Sequence, residues 1–225
     1  MSQELWSAVD GYICEHLLEP DSVLEAAVTA SDAAGMPPIA VTANQGKLLE
    51  LLVRIHGARR VLEFGTLGGY STIWLARGLP EDGRVVTLEL NPDYAAVAET
   101  NIERAGLTDA VDLRVGPALE TLAAMHAAGE EAFDLIFIDA DKQNYPGYLE
   151  WSLKLSRPGT VLIGDNVVRS GGIVDPDNED SVVEGVRRFY ELLAQEPRVD
   201  ATAVQTVGDK GHDGFAVGIV TRTRE

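Results

Sequence analysis

The stretch RVLEFGTLGGYS, residues 60–71, decides the fold. Five residues suited to a buried strand run into a glycine-bearing turn, and Tyr70 and Ser71 open the helical run STIWLARGL. A turn of this kind lets a ligand approach the backbone closely at the carboxyl end of a strand. A dinucleotide fingerprint G-x-G-x-x-G beginning at Gly65 needs glycine at 67, where Leu67 stands, and Glu63 within the strand repels a pyrophosphate. The turn therefore suits a ligand with amino, sulfonium or hydroxyl groups rather than phosphates.

Outward from this stretch, short apolar runs alternate with helical segments, the pattern of a parallel sheet covered on both faces. The runs are VVTLEL (85–90), VDLRV (111–115), FDLIFID (133–139) and TVLIGD (160–165), giving five parallel strands with RVLEF. VDATAVQTV (199–207) and DGFAVGIV (213–220) are joined by too few residues for a parallel crossover and so pair as an antiparallel hairpin. Before the first strand, residues 1–57 read as three helices. Leu5, Val9, Ile13 and Leu17 form an apolar stripe, and Ser22 with Glu25, then Thr42 with Gln45, have capping-box spacing. Gly57 closes the third helix. The expectation is one α/β domain over 1–225, with a seven-stranded, mostly parallel sheet, an antiparallel final strand and an N-terminal helical extension. Residues 166–180 lack helical periodicity until Ser181 and Glu184 cap the next helix; their place after a strand's carboxyl end suits a substrate lid.

Composition narrows the partners. The 225 residues are 45% hydrophobic and 24% charged, ordinary for a packed globular chain. Eighteen Lys and Arg against 36 Asp and Glu leave a net charge of -18, which disfavours nucleic acid and anionic membrane surfaces. One cysteine, Cys14, excludes an intramolecular disulfide, and no Cys/His spacing suggests zinc. The acidic start and the lack of a long apolar run point to the cytoplasm.

Acids end several strands. Glu89 closes the second, where a carboxylate can accept both hydroxyls of a ribose. Asp139 closes the fourth, and Asp165 the fifth with Asn166 beside it. Two carboxylates and an amide oxygen make a hard oxygen set suited to Mg²⁺ rather than to zinc or copper. Lys142 follows three residues after Asp139, and a lysine serves as a base where a neighbouring cation and a dry cleft lower its pKa. Tyr145, Trp151, Val167, Val168 and Ile173 could wall such a site. His16, His56, His126 and His212 receive no role.

VLEFGTLGGYS, LELNPDYA, GPALETL, FIDADKQNY and GDN, in this order and spacing, resemble the cation-dependent class I O-methyltransferases, which include catechol and caffeoyl-CoA O-methyltransferases. The resemblance runs from about Val41 to the C-terminus. It implies a Rossmann-like methyltransferase fold, with S-adenosylmethionine against Val41, Glu63, Gly65, Thr66, Ser71, Glu89, Ala118 and Asp141. It assigns Mg²⁺, or Mn²⁺ or Ca²⁺, to Asp139, Asp165 and Asn166, and the base to Lys142. A homodimer through the N-terminal helices is also implied. The expected reaction is methylation of one hydroxyl of a vicinal dihydroxy aromatic. Alternatives are a metal-independent small-molecule methyltransferase, a nicotinamide oxidoreductase, and a cofactor-binding fold kept for assembly. Arg169 and Ser170 replace the aromatic-Asn pair of the plant CoA-ester enzymes, which argues against a CoA thioester.

Overall fold

A computed structural model of the chain describes residues 2–222; Met1 and residues 223–225, which the single-domain expectation includes, lie outside the described residues. The chain forms two compact units, Ala8–Thr121, and Met1–Ser7 with Leu122–Glu225. Among the described residues seven strands, β1 (Arg60–Phe64), β2 (Arg84–Glu89), β3 (Val111–Val115), β4 (Phe133–Ile138), β5 (Ser156–Asp165), β6 (Val199–Gly208) and β7 (Gly211–Val220), have the order β3-β2-β1-β4-β5-β7-β6.

The first unit begins in helix α1 (Gln3–Leu17), followed by α2 (Ser22–Ala33) and α3 (Ala43–His56). The helices at 22 and 43 start where the sequence places them, but two side-chain caps differ. The Asp21 carboxylate, rather than the Ser22 hydroxyl, accepts the amides of Val23 and Leu24 at 3.1 Å each. A charged acceptor also gains from the positive end of the helix dipole. Thr42 precedes α3, yet its hydroxyl turns to Asn44 Oδ1 at 2.5 Å. Gly57 ends α3 in the left-handed region, as expected of it. Strands β1 (Arg60–Phe64) and β2 (Arg84–Glu89) are buried along nearly their whole length, which requires cover on both faces. They pair in parallel with each other, β2 also pairs in parallel with β3 (Val111–Val115), and α4 (Tyr70–Gly78), α5 (Pro92–Arg104) and α6 (Ala118–Ala127) follow the three strands in turn.

In the second unit β4 (Phe133–Ile138) is buried throughout and pairs in parallel with β5 (Ser156–Asp165), which starts four residues before its apolar run. Helix α7 (Tyr145–Lys154) connects them, and α8 (Ser181–Gln195) follows β5. The amide cap of α8 again comes one residue earlier than expected: Asp180 Oδ1 accepts Val182 N at 2.9 Å. The hairpin of β6 (Val199–Gly208) and β7 (Gly211–Val220) is antiparallel, and β7 lies antiparallel to β5 with Asp165 opposite Phe215. No described helix is long and apolar enough to cross a membrane.

One contact fixes the site from behind. Helix α8 lies against the turn Lys142–Asn144 at Gly185, where a Cβ would press on the Lys142 carbonyl and come within 2.9 Å of Gln143 Cα. Gly185→Ala is expected to destabilise the protein by about 1–3 kcal/mol through overpacking, measured by urea unfolding.

Candidate active site

In the first unit the turn after β1 is held from several sides. Gly65 adopts φ 87°, and Leu67, at the position where a fingerprint would have glycine, also takes a left-handed φ of 50°. Its amide is captured by Glu89 Oε2 at 2.8 Å, while Oε1 of the same carboxylate accepts Asn91 N at 2.8 Å. Each oxygen keeps a lone pair for a ligand hydroxyl, so Glu89 both shapes the turn and stays competent as an acceptor. The end of β3 is tied to the same place, as Gly116 N donates to the Glu89 carbonyl at 2.8 Å, and Ala118 then opens α6.

Glu63 has a different position. It is fully buried, and three hydroxyls donate to it: Ser71 at 2.6 Å, Thr72 at 2.5 Å and Thr87 at 2.7 Å. Because the Thr87 proton goes to Glu63, Thr66 Oγ1 donates to Thr87 Oγ1 at 2.6 Å. Glu63, Thr66 and Ser71 therefore form one hydrogen-bonded unit beneath the turn. Val41 is buried just ahead of α3. Asn101 of α5, buried and overlooked in the sequence, donates to the Gly68 carbonyl at 2.9 Å and anchors the turn's second half. Nothing local marks it, because its partner lies 33 residues away.

The second unit gathers the other residues at the ends of β4 and β5. The Tyr145 hydroxyl lies 2.8 Å from the Ile138 carbonyl and 2.7 Å from that of Asp165, and its single proton is shared between them. Burial, and then the charges of Asp139, Asp165 and Asp213, push its pKa well above the usual phenol value, so it remains a donor. Lys142 is buried, donates to Asp139 Oδ1 at 2.8 Å and places Nζ 4.9 Å from the centre of the Tyr145 ring. Asp165 is buried and its Oδ1 accepts Asn166 N at 2.8 Å. Asp139 and Lys142 thus follow the end of β4, and Asp165 ends the neighbouring β5, with Asn166 next in the chain. Among the described residues no group of three or more His, Cys, Asp and Glu is placed to hold a metal. A cation here depends on the Asn166 amide as third donor, and the resulting all-oxygen set fits Mg²⁺.

Asp141 is committed locally, accepting the Tyr148 hydroxyl and Asn144 Nδ2 at 2.5 Å each. Burial, then the bond to Asp141, raise the Tyr148 pKa. Trp151 does not share the face of Tyr145: six helical positions turn it about 240° away. Its ring packs against His126 and under Lys154 Nζ, 3.9 Å from the centroid. Lys210, also overlooked, occupies the turn of the β6–β7 hairpin. Burial lowers its pKa, opposed by the charges of Asp139, Asp209 and Asp165, so its ammonium lies within electrostatic reach of both strand-end acids. The segment beyond β5 is short helical turn over Arg169–Val174, and Asn166, Arg169 and Ser170 have φ of 53°, 53° and 54°. Each such residue costs about 1–3 kcal/mol unless its surroundings hold it.

Glu63→Ala removes the acceptor for three hydroxyls at once, two of them in buried threonines. Stability is expected to fall by about 2–5 kcal/mol, read from chemical denaturation, with Glu63→Gln less affected.

Comparison with known proteins places these features in a family. A family model described as O-methyltransferase matches residues 15–212. The chain is 48% identical over 220 residues to a catechol O-methyltransferase of Niastella koreensis, covering 98% of this chain and 100% of the relative. It is 52% identical to a catechol O-methyltransferase of Mycobacterium tuberculosis, covering 94% of each. Among solved structures, the O-methyltransferase from Bacillus cereus in complex with SAH superposes with a TM-score of 0.97 at 57% identity, covering 98% of this chain and 100% of that one. TomG from Streptomyces achromogenes, an O-methyltransferase involved in tomaymycin synthesis and solved with SAM, gives 0.94 at 49% identity, covering 98% and 99%.

Proposed function

The chain belongs to the O-methyltransferase family, and we propose that it transfers the methyl group of S-adenosylmethionine to one hydroxyl of a vicinal dihydroxy aromatic, with Mg²⁺ (or Mn²⁺ or Ca²⁺) held by Asp139, Asp165 and Asn166. The observation that carries the acceptor is the buried Lys142–Asp139 pair beside Asp165 at the ends of β4 and β5. Membership of the family sets aside the nicotinamide oxidoreductase.

The donor reading rests on the turn after β1 and on Glu89. Relatives solved with SAM or SAH support the ligand. Glu89 would accept the ribose hydroxyls, and Gly65 and Thr66 would let the ligand approach the turn. The buried Glu63 would act through Ser71 and Thr66 rather than by direct contact. Val41, Ala118 and Asp141 complete the expected contacts, Asp141 with an orientation set by Tyr148 and Asn144.

When bound, a divalent cation supplies the Lewis acidity that lowers the pKa of a diol hydroxyl. Asp139 and Asp165 orient the acceptor end and balance positive charge there. In its neutral form, in which an N–H can still donate to Asp139, Lys142 Nζ accepts the hydroxyl proton, the acceptor oxygen forms a bond to the methyl carbon, and the carbon–sulfur bond breaks to leave a neutral thioether. Two opposite charges vanish in this step, so an apolar environment, to which Val167 and Val168 just beyond Asn166 would contribute, favours it. Holding oxygen, carbon and sulfur in line supplies the rest.

The reading extends to a cytoplasmic homodimer. Helix α1 has no buried residue although it carries Leu5, Val9 and Leu17, and α3 exposes Leu48, Leu51 and Ile55 along one face. Apolar faces of this kind are what a second copy would cover.

Steady-state kinetics test the reading. Exhaustive chelation should abolish methylation of a catechol and added Mg²⁺ restore it, and a monohydroxy analogue should react far more slowly. Lys142→Ala should lower kcat by about 10²–10⁴-fold with S-adenosylmethionine affinity nearly unchanged. Full activity after chelation would remove the cation, equal rates for diol and monohydroxy analogue would remove two-point chelation of the acceptor, and an unaltered kcat would remove Lys142 as base.

A further inference from the structure

Strand β7 does more than fill the sheet. With Phe215 opposite Asp165, it continues past the end of β5 and carries Gly214 and Asp213 to the point where the chain leaves that strand. There Gly214 O accepts Val167 N at 3.0 Å, and Asp213 Oδ1 accepts both Val168 N at 3.0 Å and Arg169 N at 3.1 Å. Three successive amides are captured by two adjacent residues. Gly214 permits the approach, since a Cβ there would press on the Val204 carbonyl and stand 2.8 Å from Val168 Cγ2. Asp213 Oδ2 also lies 3.8 Å from Arg169 Nη1.

The far end of the same segment has its own anchor. Arg187 of α8 donates to the carbonyls of Ile173 at 3.1 Å, Asn178 at 2.9 Å and Gly172 at 3.0 Å, and also to that of Asp175. The segment carries three non-glycine residues with left-handed φ: Asn166 immediately before the first anchor, Arg169 within it, and Ser170 between the two anchors. A backbone so far from its preferred conformations persists only where its surroundings over-determine it. The surroundings that do so here are one carboxylate and one guanidinium, neither of which is a cation ligand or a base in the proposed reaction.

We propose that Asp213 and Arg187 are positioning residues for the acceptor end: they hold residues 166–178 in the one conformation that presents Asn166 and the lid, and so set cation affinity and acceptor KM while leaving donor binding alone. The proposal rests on the cation reading of Asp139, Asp165 and Asn166.

The test measures Mn²⁺ binding by electron paramagnetic resonance alongside acceptor KM and calorimetric S-adenosylmethionine affinity. Asp213→Ala should weaken Mn²⁺ binding by about 10–100-fold, the usual effect of losing an outer-shell partner, and raise acceptor KM. Donor affinity should stay within about twofold, since no ligand of that end is touched. Asp213→Asn should restore most of the loss, because an amide oxygen still accepts two N–H groups. Adding Ser170→Gly to Asp213→Ala should recover part of it, since glycine takes that φ without cost. Arg187→Met, which leaves β7 intact, should move the same quantities in the same direction and decides the matter if Asp213→Ala does not fold. Mn²⁺ affinity unchanged in the folded variants, or lost together with donor affinity, would overturn the proposal. Failure of the parent protein to bind Mn²⁺ would instead overturn the cation reading.

Discussion

A single hydroxyl joins the ends of two neighbouring buried strands. The Tyr145 proton, shared between the carbonyls of Ile138 and Asp165, ties backbone acceptors at the ends of β4 and β5 to one buried donor. Three neighbouring side chains take their positions from this donor. Asp139 is the residue after Ile138, so its carboxylate leaves the sheet from a fixed point. Asp165 carries one of the two carbonyls itself. The ring of the same tyrosine forms the surface over which Lys142 reaches Asp139. Burial among carboxylates keeps the phenol protonated, so the donor is not lost when the charge of the site changes.

The two glutamates of the other unit show how environment assigns different work to one residue type. Glu63 is sealed in and spends its oxygens on three hydroxyls, which makes it a rigid hub for Thr66, Ser71, Thr72 and Thr87. Glu89 is bonded to two backbone amides and sits at the strand's last position. A hub must be saturated, whereas a ligand contact must retain an unfilled lone pair at the edge. Sequence position alone makes the two look equivalent, since both are acids near a strand end.

The alternation of strands and helices was legible because buried parallel strands need continuous apolar runs, and RVLEF and FDLIFID could hardly be anything else. The short hairpin connection likewise dictated antiparallel pairing. Cap assignments missed by one residue at Asp21 and Asp180, where serine and aspartate are adjacent and the charged side chain won. Asp139, Lys142 and Asp165 were visible because each lies at or just past a strand end. Asn101, Arg187, Lys210 and Asp213 were not, because their partners are distant in sequence and no local pattern distinguishes a helix or hairpin polar residue that points inward from one that points to water. Trp151 failed for the opposite reason: aromatic character suggested a wall, while helical rotation put it elsewhere.

The register of the C-terminal hairpin links the sheet to the segment that follows β5. Side chains alternate along a strand, so a one-residue slip of β7 against β5 would turn Asp213 to the other face and place a different residue where Gly214 makes room for Val168. The pairing of Asp165 with Phe215 is therefore a condition on the segment that leaves β5 as well as on the sheet. In a chain with net charge -18, the carboxylates of Asp139 and Asp165 would also repel each other if left alone. Lys142, in contact with Asp139, and Lys210, at the hairpin's turn, offset that repulsion from two different elements. The hairpin thus contributes twice, through a carboxylate that fixes the backbone and a cation that steadies the acids, and both contributions are set by the same register.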